Sequence, residues 1–153
     1  MDKETFVCDQ TTFKSPYEGM YSMYNCAVVL NMAKNYGISL DCVKSVFSHA
    51  PQPAGRNEMF KSEDQTCILN LVKNPTGANE VMKVIEKDPS DKTIVIVLND
   101  REQDGTDVSW IYDTFFEKIM TNSTKEIICT GLRPNDMALR IYYGGYVGAI
   151  KCC

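Results

Sequence analysis

Five acidic side chains stand close together within a polar stretch, residues 99–113, in the middle of the chain. They are Asp100, Glu102, Asp104, Asp107 and Asp113. Two interpretations are open. Charged side chains are mostly solvated, so the stretch can be an ordinary surface loop. Alternatively, the segment SWIYD at residues 109–113, which holds the chain's only tryptophan, fixes one or two of these carboxylates to act on a substrate or a partner.

The other side chains that could act as nucleophiles or metal ligands form no motif of known spacing. Seven cysteines are scattered through apolar segments without a CxxC pair, so a structural zinc site has little support and we expect no metal in this chain. His49, the single histidine, precedes Pro51 and Pro53 in a predicted loop, and a Cys–His pair within the chain therefore has little support. The carboxylates remain the main candidates for chemistry.

Composition narrows the class of protein. A chain of 153 residues is predicted to form one domain by default and can bury a core without disulfide bonds. A net charge of -4 gives no basic footprint for nucleic acid. No apolar run reaches the length of a membrane span, and no positively charged start leads into an apolar signal segment. We expect a cytoplasmic protein that neither binds nucleic acid nor inserts into a membrane.

An apolar, β-branched run at residues 93–98 precedes the acidic stretch and is predicted to be the central strand. Such a run is typical of a strand buried on both faces of a parallel sheet. Sites in open α/β sheets lie beyond the carboxyl ends of the strands, where the acidic stretch begins. Residues 110–120 are predicted to be helical, with Ile111, Phe115 and Ile119 on one face.

Helices and strands alternate along the rest of the chain. The first helix is predicted at residues 17–36, where large apolar residues recur at helical spacing: Tyr21, Tyr24, Val28, Met32 and Tyr36. Further helices are predicted at residues 40–48, 78–87 and 136–143, further strands at 56–60, 67–72 and 127–129, and turns at 61–65, 74–77 and 131–135. Residues 51–55, PQPAG, are the best candidate for a domain hinge.

This alternation predicts the fold class and the domains. We expect an α/β fold, a Rossmann-like, mostly parallel sheet with flanking helices in residues 55–153, preceded by a helical segment in residues 1–54. The second domain is expected to be truncated, because a sheet of this type usually gains another strand and helix after the last predicted helix.

Four motifs carry a resemblance to a known family. They are GRNEMF (55–60), LVKNPTGANEVM (71–82), LNDREQDGTDVSWIYD (98–113) and CTGLRPNDMALR (129–140). In this order and spacing they resemble the C-terminal domain of the MurT family, the Mur-ligase-like subunit of lipid II isoglutaminyl synthase. The upstream stretch YSMYNCAVVLNMAKNYGISLDCVKSVF resembles the last helices of a Mur ligase central domain. Together the resemblance covers residues 17–144.

The resemblance implies a part in peptidoglycan biosynthesis at the inner face of the membrane. In that family the synthetase subunit uses ATP and Mg²⁺ to activate the α-carboxyl of D-glutamate in the stem peptide of lipid II. A glutaminase subunit, GatD, supplies the ammonia that forms D-isoglutamine. This chain has no GxxxxGKS or GxxxxGKT phosphate loop and no four-cysteine zinc ribbon. We therefore expect the C-terminal portion of such a subunit, inactive on its own.

Asp107 is the strongest candidate for a catalytic role. A Cys–His glutaminase needs a carboxylate that orients the imidazole and stabilises its charged form. The resemblance implies that this carboxylate comes from the synthetase subunit, across the interface. Asp104 and Asp113 are the alternative donors or supporting groups. The second interpretation of Asp107 is an N-cap for the helix predicted after it, and Trp110 is expected to pack beneath the acidic loop.

Five residues match family positions near a nucleotide. Asn25 matches an asparagine near the adenine, although Ser22 replaces the first asparagine of that pattern. Arg56 matches an arginine that approaches the phosphates, a role suited to guanidinium geometry, with a salt bridge to Glu58 as the alternative.

The other three nucleotide candidates follow a predicted strand. Lys73 and Asn74 stand where Mur ligases carry an HNP motif, and Asn70 takes the place of the aspartate that reaches the ribose. A simple turn at residues 74–77 is the alternative. Further along, Asp136 and Arg140 lie four residues apart, which favours an ion pair within one helix.

Two other functions compete with this one. The chain can be a non-catalytic module that only docks the glutaminase, or the C-terminal domain of another Mur or folylpolyglutamate-type ligase. The first alternative predicts that glutaminase turnover survives the loss of Asp107 whenever the subunits still bind each other. The second predicts that the isolated chain binds ATP.

Overall fold

A computed structural model describes residues 5–17, 19–51 and 53–153 of the chain. Two compact units are present, an N-terminal unit that ends at Leu71 and a C-terminal unit that begins at Val72. The division into domains at residue 55 stays a prediction. Gln52 of the predicted linker, residues 1–4 of the predicted helical segment and Glu18 of its first predicted helix lie outside the described residues.

The N-terminal unit packs two helices with a short hairpin. Strands β1 (Thr5–Cys8) and β2 (Thr11–Lys14) pair antiparallel, and helices α1 (Met20–Asn35) and α2 (Leu40–His49) follow. Their shared core consists of Phe13, Cys26, Leu30, Ala33, Val43 and Phe47. A second antiparallel hairpin, β3 (Glu58–Lys61) with β4 (Thr66–Leu69), completes the unit.

Helix α1 lies where the sequence predicts a helix, but it buries a different face. The buried residues are Ser22, Cys26, Leu30 and Ala33, which share the same period with a different offset. These smaller side chains let the helix approach its neighbours closely, and the buried Ser22 hydroxyl is paired with that of Ser15 at 2.8 Å. Most of the larger residues that indicated the helix are exposed: Tyr24, Val28, Met32 and Tyr36.

The C-terminal unit is built on a three-stranded parallel sheet, which confirms the predicted α/β fold. Strands β5 (Lys92–Leu98), β6 (Thr124–Gly131) and β7 (Ala149–Cys152) lie in the order β5-β6-β7, with helices α3 (Pro75–Lys87) and α4 (Pro134–Tyr143) beside them. The middle strand is β6, so the prediction that β5 is central is wrong. Strand β7 was not predicted.

Strand β5 is buried on one face only. Leu98 is 3% exposed, and Ile94 and Ile96 pack against the core, whereas Val95 is 57% exposed and Val97 60%. The prediction of burial on both faces is wrong, because successive side chains of a strand point to opposite faces and the core of this unit covers one of them. That core is formed mainly by Met82, Leu98, Ile111, Phe116, Ile119, Ile127, Cys129, Met137, Ile141 and Tyr146.

Helix α3 begins three residues before its predicted start. Asn74 is its N-cap, with its Oδ1 accepting a hydrogen bond of 2.8 Å from the Gly77 backbone N–H, and Pro75 is in the first turn. Asparagine at the cap and proline just inside the helix are a favourable start. The predicted turn at residues 74–77 is therefore the first turn of a helix.

The single helix predicted at residues 110–120 is wrong. Two short 3-10 helices, Ser109–Asp113 and Phe116–Ile119, take its place. In an α-helix the Phe115 N–H would bond to the Ile111 carbonyl. Instead, the Phe115 N–H donates to Asn79 Oδ1 at 2.7 Å, and the Ile111 carbonyl accepts from Arg140 Nε at 3.0 Å. Side chains from α3 and α4 thus replace the hydrogen bond that would have continued the helix.

Candidate functional site

Residues 99–113, which we call the acidic connection, leave the sheet at the carboxyl end of β5. Its first residue is tied to the end of β6: Asn99 Oδ1 accepts a hydrogen bond of 3.1 Å from the Leu132 N–H, and the Arg133 N–H donates to the Leu98 carbonyl at 3.0 Å. Gly131 has a φ of +101°, and a Cβ there would lie 2.5 Å from the Leu98 carbonyl oxygen. Only glycine fits this close approach of the two strand ends.

Arg133 fixes the start of the acidic connection by bridging two carboxylates. Its Nη1 lies 3.0 Å from Asp100 Oδ2, and its Nε lies 2.6 Å from Asp136 Oδ2. The hydrogen bond from Arg133 holds the pKa of Asp136 below its usual range. The predicted ion pair between Asp136 and Arg140 is therefore wrong, because the nearer Arg133 takes Asp136 and Arg140 points elsewhere.

Asp107 is exposed in the middle of the acidic connection, two residues before the first 3-10 helix begins. Its Oδ1 accepts a hydrogen bond of 2.8 Å from the Ser109 backbone N–H. Hydrogen bonds from Ser109 hold the pKa of Asp107 below its usual range, so the carboxylate is ionised near neutral pH. Val108 occupies the N-cap position, so Asp107 supports the helix start from one residue earlier while its side chain stays at the surface.

Both 3-10 helices lie in residues 109–119, which we call the 3-10 segment. Arg140 of α4, whose side chain is buried, contacts this segment after Asp107. Arg140 Nε donates to the Ile111 carbonyl at 3.0 Å and its Nη2 to the Thr114 carbonyl at 2.8 Å. The same Nη2 lies 2.8 Å from Glu117 Oε1, and the guanidinium stands 5.5 Å from the Phe116 ring centroid. The planar guanidinium of Arg140 thus bonds to the segment at several residues, as its arrangement of N–H donors allows.

Asn79 of α3 holds the same segment from a second helix. Besides accepting from the Phe115 N–H, it donates through Nδ2 to the Asp113 carbonyl at 3.4 Å. Trp110 is half-buried and packs against the core of this unit, and its predicted packing beneath the acidic loop stays a prediction. The position of the 3-10 segment is therefore set by contacts to α3, α4 and the core together.

The structure places all three catalytic candidates in the acidic connection. Asp104, like Asp107, is exposed, and it lies in a turn in which its N–H donates to the Arg101 carbonyl at 2.9 Å. Asp113 is also exposed and closes the first 3-10 helix. Asp113 therefore belongs to the segment that Arg140 and Asn79 hold, and Asp107 lies just before that segment. Asp104 belongs to a separate turn.

The nucleotide candidates of the N-terminal unit have different surroundings. Asn25 is exposed on α1. The Arg56 guanidinium stands 5.7 Å from the Tyr21 ring centroid. Asn70 Oδ1 accepts a hydrogen bond of 2.9 Å from the N–H of Asn57, whose φ is 48°, and so supports the turn at Asn57.

Two nucleotide candidates lie at the start of the C-terminal unit. Lys73 is exposed, and the Asn74 oxygen is engaged as the cap of α3. Two of the five candidates, Asn70 and Asn74, thus use their side-chain oxygens in hydrogen bonds to the backbone, and the nucleotide roles of all five stay predictions.

Within residues 5–17, 19–51 and 53–153, no three His, Cys, Asp or Glu side chains come together as ligands of a metal ion would. None of the helices in the described part of the chain is long and apolar enough to cross a membrane.

Sequence reasoning missed the residues that position the acidic connection. Arg140 follows Met137 by three residues and precedes Ile141, so it occupies the apolar face of its predicted helix, which was the available signal that this arginine is buried. For Asn79 and Arg133 the sequence offered no such signal, because their partners lie far away along the chain.

Known proteins resemble this chain over most of its length. The MurT subunit of lipid II isoglutaminyl synthase (glutamine-hydrolyzing) from Staphylococcus aureus is 36% identical over 123 residues, which is 80% of this chain and 28% of that protein. The corresponding subunit from Streptococcus pneumoniae is 32% identical over 145 residues, or 95% of this chain and 32% of that protein. The chain thus spans about a third of the length of these relatives.

A solved structure agrees in fold. The crystal structure of MurF from Acinetobacter baumannii matches 92% of this chain and 30% of its own chain with a TM-score of 0.67 at 19% identity. The family described as MurT ligase C-terminal matches residues 71–151, which begin one residue before the C-terminal unit. Because that match covers more than half of the sequence, the chain belongs to the MurT ligase C-terminal family.

Proposed function

We propose that this chain is the C-terminal part of the synthetase subunit of a lipid II isoglutaminyl synthase, an ATP-dependent amide ligase of peptidoglycan biosynthesis. The complete subunit activates the α-carboxyl of D-glutamate in the stem peptide of lipid II, and ammonia from a partner glutaminase forms the amide. The family supports the ligase class. The names of the relatives, which are glutamine-hydrolyzing synthase subunits, support glutamine as the source of ammonia.

Within that enzyme, this chain provides a carboxylate to the Cys–His site of the GatD-type glutaminase. The cysteine thiolate attacks the side-chain amide carbon of glutamine, and the imidazolium gives its proton to the departing ammonia. Water then hydrolyses the thioester to glutamate. The carboxylate holds the imidazole in the correct orientation and stabilises its charged form throughout.

The exposed and restrained position of the Asp107 carboxylate supports this role. Its side chain is exposed, so an imidazole of a partner can approach it, and its low pKa keeps it charged. The bond to the Ser109 N–H limits its rotation. Preorganised groups of this kind contribute more to catalysis than mobile ones, because no reorganisation accompanies the reaction. Asp104 and Asp113 remain the alternative donors.

Replacing Asp107 by Asn in the complete two-subunit enzyme tests the proposal. The amide keeps the size of the side chain and removes its charge, so glutamine hydrolysis should fall on the order of 10³–10⁴-fold while the subunits still assemble. Asp104→Asn and Asp113→Asn are the matched controls. If hydrolysis survives in the Asp107 variant and fails in one of these, that residue is the donor. If it survives in all three, the chain is a docking module.

ATP binding separates this proposal from that of another Mur-type ligase domain. The phosphate loop and the Mg²⁺ ligands are expected in the central domain of the complete subunit. Calorimetric titration of the isolated 153-residue chain with ATP should therefore show no tight binding. Tight binding would instead favour a nucleotide-binding domain in its own right.

A further inference from the structure

Arg140 is a buried cation that the proposed chemistry does not use. It is 7% exposed, and burying a charge is costly unless hydrogen bonds and counter-charges compensate it. Here the compensation comes from a single stretch of chain, namely the Ile111 and Thr114 carbonyls and the Glu117 carboxylate. Among the described residues, the hydrogen bonds and ion pairs of the Arg140 side chain therefore join α4 to the 3-10 segment alone.

Asn79 makes a second connection, from α3 to the same segment. Its amide accepts from the Phe115 N–H and donates to the Asp113 carbonyl, so it bonds to a backbone donor and a backbone acceptor that lie two residues apart. A side-chain amide that meets both partners fixes the local backbone in one arrangement. Two helices thus determine where this short piece of backbone lies.

Asp107 is joined to the end of that piece. Its carboxylate accepts from the Ser109 N–H, and the Ile111 N–H donates to the Val108 carbonyl at 3.2 Å. A displacement of Ile111 therefore passes to the residues that carry the carboxylate. We propose that Arg140 and Asn79 are positioning residues that hold the Asp107 carboxylate for the partner's imidazole, an inference that rests on the proposed function of Asp107.

The test uses Arg140→Lys and Asn79→Ala in the complete two-subunit enzyme. Lysine keeps a positive charge for Glu117 but lacks the fork that bonds two carbonyls. Asn79→Ala removes the second connection at a partly exposed position, so it decides the question if the Arg140 variant does not fold. We expect kcat for glutamine hydrolysis to fall about 10–100-fold, as for other groups that orient a reacting residue, with KM for glutamine unchanged.

Lys118→Ala is the matched control. Lys118 pairs with Glu86 at 2.7 Å, so it also joins the second 3-10 helix to α3, yet its side chain makes no hydrogen bond or ion pair with the described residues 107–115. Its removal should leave kcat and KM unchanged. Subunit assembly is measured for every variant by size-exclusion chromatography, because a merely structural effect would lower kcat only in proportion to the loss of assembled complex.

A double-mutant cycle distinguishes a failure of this inference from a failure of the proposed function of Asp107. The rate at which iodoacetamide alkylates the glutaminase cysteine reports the thiolate that the imidazolium stabilises, even when turnover is undetectable. If Arg140 and Asn79 act through Asp107, their substitution slows alkylation in the parent complex and has no further effect in the Asp107→Asn complex. An equal effect in both complexes, or none in either, overturns the inference. An Asp107→Asn complex with parent activity would instead overturn the proposed function.

Discussion

Replacing Arg140 by Met should destabilise the C-terminal unit by about 2–3 kcal/mol. Methionine fills the space of the arginine stem without a donor. The buried Ile111 carbonyl then loses the hydrogen bond from Nε, which costs about 1–3 kcal/mol. The Thr114 carbonyl still accepts from the Phe116 N–H at 3.0 Å, so its loss is smaller. Glu117 is 49% exposed, and its ion pair therefore contributes about 1 kcal/mol at most.

Urea unfolding followed by tryptophan fluorescence measures this change. Trp110 is the only tryptophan and packs against the core of the C-terminal unit, so its signal reports that unit. With a slope of about 1–3 kcal/mol per molar urea, the midpoint should fall by about 1 M. Lys118→Met, which breaks only the surface pair with Glu86, is the control. A loss below about 0.5 kcal/mol for Arg140→Met, the range of ordinary surface substitutions, would refute the reasoning.

Three further predictions follow from local geometry. Gly131→Ala should lower the free energy of unfolding by about 1–3 kcal/mol in the same urea experiment, because its φ is +101° and a Cβ would meet the Leu98 carbonyl. Asn74→Ala removes the cap of α3 and should cost about 1 kcal/mol, while Asn122→Ala, outside any cap, should cost less. Because the folded pKa of Asp136 is depressed, its contribution to stability is present above the ordinary value of 3.8 and is lost as pH falls through the folded pKa. Urea midpoints measured from about pH 6 downwards should therefore fall less steeply below about pH 4 in Asp136→Asn than in the parent chain.

The sequence was informative where structure depends on neighbouring residues. The apolar run that became β5, the helical spacing that became α1 and the glycines near chain reversals are local signals, and they predicted the α/β class and most of the helices. The offset of the buried face of α1 was not local, since it depends on which side meets Phe13 and Phe47 of the same core.

The sequence was less informative where structure depends on distant residues. The order of strands, which puts β6 in the middle, is set by hydrogen bonding between strands that are far apart in the sequence. The exposure of Val95 and Val97 depends on which face of the sheet the core covers. Likewise, the spacing of Asp136 and Arg140 favoured an ion pair. Instead, Arg133 pairs with the Asp136 carboxylate, and Arg140 donates hydrogen bonds to backbone carbonyls. The candidate carboxylates were found from their position after β5, whereas the side chains that hold them were not.

The dependence of the 3-10 segment on both α3 and α4 has a consequence for the order of folding. During synthesis the ribosome releases the segment after Asn79 but well before Arg140. Half of its external support is therefore absent while it emerges. If Arg140 positions Asp107 as proposed, Asp107 should reach its final place only once α4 has been made and packed, and a nascent chain that stalls before that helix should carry the acidic residues without their arrangement.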